Sequence, residues 1–168
     1  MIDQILALVN GHPIIALILL TLVPGLELRA SIPYGIIKGD FHWTIVFLIC
    51  VTANIVLGPI VYLLLDKFVY LLEKIPLFHR IYNKFVERTQ KKVQKPVEKY
   101  GELGIAIFIG VPLPGSGSYT GAFGAYLLGL GYRKFIIANI IGVLIAATIV
   151  TAIVLTGDGV FGFLLKTV

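Results

Sequence analysis

The sequence predicts an all-α integral membrane protein: an inverted repeat of a re-entrant helical hairpin plus a transmembrane helix, the copies joined by a basic amphipathic cytoplasmic helical segment. Three observations carry this. Of 168 residues, 58% are hydrophobic and only 14% charged, and the apolar residues come in runs rather than in the alternation of a soluble domain. Two windows, 44–65 and 135–156, are free of charge over about 22 residues, the length a helix needs to cross about 30 Å of hydrocarbon. Ahead of each lies an apolar stretch broken by proline and glycine, "VPGLELRASIP" within 13–38 and "VPLPGSGSYTGAFG" within 103–130.

Along the chain, "MIDQILALVNGHP" has neither the cationic leader nor the small-residue cleavage site of a secretory signal, so residues 1–12 are expected to stay as a short interfacial helix ended by Gly11 and Pro13. Each half of the 13–38 stretch has about ten residues and reaches about 15 Å, the depth of one leaflet. The expected form is a re-entrant hairpin that dips to the midplane and returns. The alternative is a single kinked span, which would put the amino terminus in the cytoplasm. The span 44–65 follows. Residues 66–102 then hold nine of the fourteen basic residues, from Lys67 to Lys99. By the positive-inside rule this segment is cytoplasmic and both termini face outward, as in a multi-pass protein of the cell membrane. Within it Leu77, Ile81, Phe85 and Phe78, Tyr82, Val86 recur at helical spacing between Arg80, Lys84, Arg88 and Lys91. That pattern describes a helix lying on an anionic membrane surface, and no nucleic-acid partner is expected. Residues 103–130 predict the second re-entrant hairpin, 135–156 the second span with Arg133 and Lys134 at its cytoplasmic entry, and 157–168 a tail.

Laying Pro24-Gly25 on Pro114-Gly115 also brings Gly39 onto Gly129, and "ANI" at 53–55 has a counterpart at 138–140. A single crossing separates the hairpins, so the first enters from outside and the second from the cytoplasm. Inverted repeats with broken helices meeting at the midplane are an architecture of secondary transporters.

The two charges in the first broken stretch need compensation, because each costs about 2.5–3.5 kcal/mol at the bilayer centre on insertion scales. Glu27 and Arg29 are two apart and would diverge on a continuous helix; in a non-helical tip they meet or share an aqueous cavity. A carboxylate in such a place is balanced between desolvation and a nearby cation, the competition that makes a proton carrier. Arginine keeps its charge, and its planar fork suits a phosphate or carboxylate. In the facing tip Gly115, Gly117 and Gly121 free the backbone, Ser116, Ser118 and Thr120 add hydroxyls, and a half-helix starting near Ser118 aims its positive end at the midplane. The candidate substrate- and proton-binding residues are therefore Pro24, Gly25, Glu27, Arg29, Pro33, Pro112, Pro114, Gly115, Ser116, Gly117, Ser118 and Thr120. Asn54 and Asn139, at matching places in the two spans, are expected to tie the hairpin backbones to the bundle, although intramembrane asparagines and glycines also serve packing.

Other chemistry is not legible. His12, His42 and His79 read as interfacial or cytoplasmic, so no base stands near Ser116 or Ser118 for a hydrolase. There is no metal cluster, P-loop or dinucleotide fingerprint, and Cys50, the single cysteine, reads as a small apolar side chain in a span. Neither enzymatic activity nor a cofactor is expected. The expected partners are membrane lipids, an anionic or amphipathic small-molecule or lipid substrate, and protons. A homodimer is also expected, because two spans and two half-depth hairpins leave little protein to cover the tips.

"PGLELRASIPYG" followed by "VPLPGSGSYTGAFGAYLLGL" resembles, over nearly the whole chain, the small multi-drug export protein family, which is related to the DedA superfamily. The resemblance implies two opposed re-entrant hairpins and a transporter or flippase for an anionic lipid or amphipathic molecule, with proton coupling. An uncoupled lipid scramblase and a scaffolding membrane protein are the alternatives. Glu27 and Arg29 match the first motif. The second is matched by its prolines, glycines and hydroxyls, but DedA relatives usually carry an additional arginine there and residues 111–130 contain no charge.

Overall fold

The computed structural model describes residues 12–39, 41–72, 101–113 and 115–157, and the regular elements among them are helices. They are α1 (Pro13–Leu22), α2 (Glu27–Ile37), α3 (Trp43–Leu72), α4 (Glu102–Gly110), α5 (Ser118–Leu127) and α6 (Tyr132–Thr156). Residues 1–11 of the interfacial helix expected over 1–12, residues 73–100 of the basic segment expected over 66–102 and residues 158–168 of the tail expected over 157–168 lie outside the described residues. The basic segment is corrected at its ends, since residues 66–72 continue α3 and Glu102 opens α4.

Local sequence accounts for the helix ends. Pro13 opens α1 in the first turn, where its missing N–H would have had no partner anyway. Both α1 and α4 end at a Val-Pro pair: Val23 (ψ 123°) and Val111 (ψ 117°) are extended, as the ring of the following proline demands. Pro33 behaves differently from the expectation that the prolines mark the breaks. It sits buried inside α2, where its fixed φ is compatible with a helix and its cost is the lost bond to the Arg29 carbonyl. The first break is thus confined to residues 23–26.

Helices α1, α2, α4 and α5 have 10, 11, 9 and 10 residues, about 14–17 Å each and too short to cross a bilayer. By contrast, the predominantly apolar stretches Trp43–Leu65 of α3 (23 residues) and Tyr132–Thr156, the whole of α6 (25 residues), are long enough. Only 33% and 44% of their most apolar windows are buried. A core helix of a soluble protein would be mostly covered; here Leu48, Val56, Ile60, Leu63 and Ile137 stand exposed, as they do on a surface solvated by lipid.

Side-chain contacts give the helix directions. Thr21 bonds Ser31 and the site of a Gly35 Cβ lies against Leu17, so α2 runs back along α1. Gly35 also packs on Val46 and Glu27 meets Asn54, and α3 therefore runs antiparallel to α2. The aromatic rings of Tyr62 and Phe135 stack, and Asn139 Nδ2 donates to the Ile55 carbonyl at 3.3 Å, which makes α6 antiparallel to α3. Glu102 pairs with Lys134 at 2.6 Å and Ala106 and Ile109 abut Gly142; α4 climbs alongside α6 from the same end. Finally Tyr62 meets Tyr126 and donates to the Leu130 carbonyl at 2.6 Å, so α5 runs with α3 toward that end. The core between them holds Leu17, Ile32, Val46, Ile105, Ile109 and Phe135, and small residues such as Gly142 let backbones approach closely.

Candidate functional site at the meeting of two hairpin tips

The helix directions bring the 23–26 link and the 111–117 link together beside Asn54, at the middle of the apolar part of α3. Glu27 is the first residue of α2 and is buried, with 8% of its surface exposed. Its carboxylate crosses to the other hairpin. Oε2 accepts from the Ser118 backbone N–H at 3.0 Å and from Asn54 Nδ2 at 3.3 Å, and Oε1 accepts from the Tyr119 N–H at 3.5 Å. The negative group thereby takes up orphan donors at the start of α5, where the helix dipole favours an anion. Its backbone φ is +43°, a left-handed conformation that costs a residue with a Cβ about 1–2 kcal/mol. The cross-hairpin bonds hold it there.

Gly117 fits this contact. A Cβ built on it would lie 2.6 Å from both Glu27 carboxylate oxygens, so the α5 amino end accepts the acid only because residue 117 has no side chain. Arg29, half-buried in the first turn of α2, reaches the same link. Its Nη2 donates to the Ser116 carbonyl and, at 2.8 Å, to Ser116 Oγ. That hydroxyl in turn shares its one proton between the Val111 and Leu113 carbonyls and accepts from the Leu113 N–H. Ser116 is therefore the knot of the second tip, and the arginine is tied into it.

The two charges thus do not simply neutralise each other. No ion pair joins them among the described residues; each is bonded to groups about 90 positions away in the chain. The expected non-helical setting is corrected too, since both sit in the first turn of α2 and diverge, as a spacing of two requires. Of the other candidates, Gly115 is exposed in the second link, and Pro112 lies between the two carbonyls that Ser116 grips. Pro24 and Gly25 are exposed in the first link. Pro33 is on the buried part of α2, and Thr120, half-buried on α5, makes no hydrogen bond to the cluster among the described residues. Pro114 lies outside the described residues. Asn54 joins a hairpin through the Glu27 side chain rather than its backbone. Asn139 ties α6 to α3, against Gly58, and does not reach a hairpin tip.

Sequence reasoning missed three contributors. Tyr119 donates from its hydroxyl to the Leu22 carbonyl at the end of α1, a second tie between the tips. Thr21 donates to Ser31 at 2.8 Å, and Ser31 to the Glu27 carbonyl at 3.1 Å, bracing the first hairpin just behind its acid. The signal was present as hydroxyl residues in apolar helices, which bond somewhere when buried, but the sequence does not say where.

No match to this chain was found among curated proteins or among solved structures. A family model described as "Putative small multi-drug export protein" matches residues 27–149, from the acid that opens α2 through most of α6, which takes in Glu27, Arg29 and the second tip but not the 23–26 link. The chain, a membrane protein with two helices able to span the bilayer, belongs to the small multi-drug export protein family.

Proposed function

We propose that this protein is a membrane transporter or flippase in which two re-entrant hairpins, inverted with respect to each other, hold an anionic lipid or amphipathic small molecule between Arg29 and the 115–120 tip, with protonation of Glu27 coupled to its movement. The observation that carries the proposal is the cross-hairpin pairing of both tip charges beside Asn54, the middle of the apolar part of α3. The export function named for the family is in keeping with it. The opposed directions of α1–α2 and α4–α5 along the two long helices support the inverted repeat, and helices of about half the bilayer thickness support re-entry.

The chemistry follows from the bonds. Arg29 is partly exposed and keeps guanidinium donors beyond Nη2, so an anionic head group competes with Ser116 for it through charge-assisted hydrogen bonds. The amino end of α5 offers a second positive pole once Glu27 no longer occupies it. A proton on Glu27 removes the charge that holds Ser118 and Tyr119, which frees that pole and lets the hairpins part. Either half then opens alternately to its own side. The central basic segment faces the cytoplasm by charge. A second copy of the chain covers Pro24, Gly25, Leu113 and Gly115, which are exposed at a depth where lipid cannot satisfy irregular backbone.

The test is purified protein in liposomes presented in turn with labelled anionic lipid, a lipophilic cation, and a proton gradient alone. Wild type should move the anionic lipid faster with the gradient, and Glu27→Gln and Arg29→Ala at equal abundance should abolish the gain. Unchanged movement in both variants would refute the site. A rate independent of the gradient would make the protein an uncoupled scramblase.

A further inference from the structure

The Glu27 pocket contains two side-chain oxygens that the ionised state does not use. Asn54 is 1% exposed and points Nδ2 at Glu27 Oε2 (3.3 Å), while its Oδ1 has no partner among the described residues. Ser118 is fully buried, donates its backbone N–H to the same Oε2 (3.0 Å), and its Oγ likewise has no partner. Buried polar atoms are rarely left unbonded, and each exception calls for a reason. Of the four such atoms among the described residues, Asn139 Oδ1 and Thr151 Oγ1 lie elsewhere, on α6, and these two fall on residues that already touch one carboxylate oxygen.

Every group around that carboxylate donates to it: two backbone N–H groups and an amide N–H. Such a shell serves an anion. A protonated carboxyl carries an O–H and needs an acceptor, and a buried donor without one costs about 1–3 kcal/mol. The ends of an asparagine amide are nearly isosteric, one donating and one accepting, so a half-turn about its last torsion replaces Nδ2 by Oδ1 with no change in packing. The Ser118 hydroxyl can rotate to accept as well.

We propose that Asn54, assisted by Ser118, is a positioning residue that reverses its hydrogen bond with the protonation state of Glu27: Nδ2 donates to the carboxylate, and after the amide turns, Oδ1 accepts from the carboxylic acid. The step makes and breaks hydrogen bonds only; the proton goes onto Glu27 and stays there. The charged or titratable groups facing Glu27 are Arg29 on its own helix and Tyr119 on α5. From α3 it is Asn54 that meets it, α1 carries no charged residue, and those of α4 and α6 lie at the far end, in the Glu102–Lys134 pair and Arg133. The asparagine thus gives the Glu27 carboxyl a partner in either form, the turned Nδ2 moving to the side where Oδ1 had no partner. This inference rests on the proposed proton step at Glu27.

The test is pH-difference infrared spectroscopy of the purified protein in lipid nanodiscs, with Glu27→Gln identifying the carboxyl band. Asn54→Asp accepts from the acid but repels the carboxylate, so the Glu27 band should titrate at least one pH unit higher, a tenfold change in proton affinity; a Glu27→Gln/Asn54→Asp double variant removes the added acid's own signal. Asn54→Leu offers no acceptor and should raise the carbonyl stretching frequency of the protonated form. A Glu27 band with unchanged midpoint in Asn54→Asp and unchanged frequency in Asn54→Leu overturns the proposal. Asn54→Asp preserves side-chain volume, so the titration decides alone should Asn54→Leu fail to fold. The band needs no substrate. A shifted band in a protein that moves nothing across liposomes refutes transport only, and intact gradient-dependent transport with an unshifted band refutes the asparagine switch only.

Discussion

Substituting Gly117 by alanine tests the central contact, because the glycine leaves space for Glu27; its φ of +156° also strains any side chain there, a cost that stays the same whether or not Glu27 is present. The new Cβ would stand 2.6 Å from both carboxylate oxygens and 2.8 Å from Cδ, against the 3.4 Å at which ordinary contact begins. To reach that separation the carboxylate must retreat by about 0.8 Å. The Ser118 N–H bond of 3.0 Å and the already long Tyr119 bond of 3.5 Å then stretch beyond hydrogen-bond range. A hydrogen bond to a charged group contributes about 1.5–3 kcal/mol, so with two of them lost Gly117→Ala should destabilise the fold by about 3–6 kcal/mol. Chemical unfolding in mixed micelles measures this, and a double-mutant cycle isolates its cause. In a Glu27→Ala background the clash and the bonds are both gone, and the same alanine should cost at least about 1.5 kcal/mol less. If the cost is the same in both backgrounds to within about 0.5 kcal/mol, the additivity expected of unconnected sites, the carboxylate does not lie on Gly117 and the assembled site is wrong.

Other expectations are more local. Gly142→Ala would place a Cβ 2.6 Å from that of Ile109 and 2.8 Å from the Ala106 carbonyl; overpacking of α4 on α6 should cost about 1–3 kcal/mol, read in the same unfolding assay. Tyr119→Phe removes the donor to the Leu22 carbonyl and should cost about 0.5–1.5 kcal/mol, with no change in membrane insertion by fractionation. For topology, a reporter active only in the cytoplasm should be silent after Val168 and active when inserted near Gln90; the reverse pattern overturns the orientation.

Much of the fold was legible residue by residue. Helix ends at 22 and 110 follow from Val-Pro pairs, whose steric demand acts between neighbours. The spans 44–65 and 135–156 correspond to the apolar parts of α3 and α6, because hydropathy is a sum over one segment. Pro33 was misjudged because a proline reads the same from sequence at a break and inside a helix. What separates them is whether neighbouring groups make up for the lost bond, which is decided by packing.

The site divides along the same line. Sequence alone determined that an acid and a base sit in an apolar stretch and need compensation, since the cost of a charge in hydrocarbon depends on the charge and its depth. It also determined that a run of glycines and hydroxyls near residue 117 offered a place for an anion. Only the tertiary structure decided that Glu27 caps α5, that Arg29 is tied to Ser116, and that Asn54 rather than Asn139 reaches the acid. Those bonds join residues 27 to 91 positions apart. They exist because helix packing over the whole chain sets two tips side by side, a geometry that no local pattern encodes.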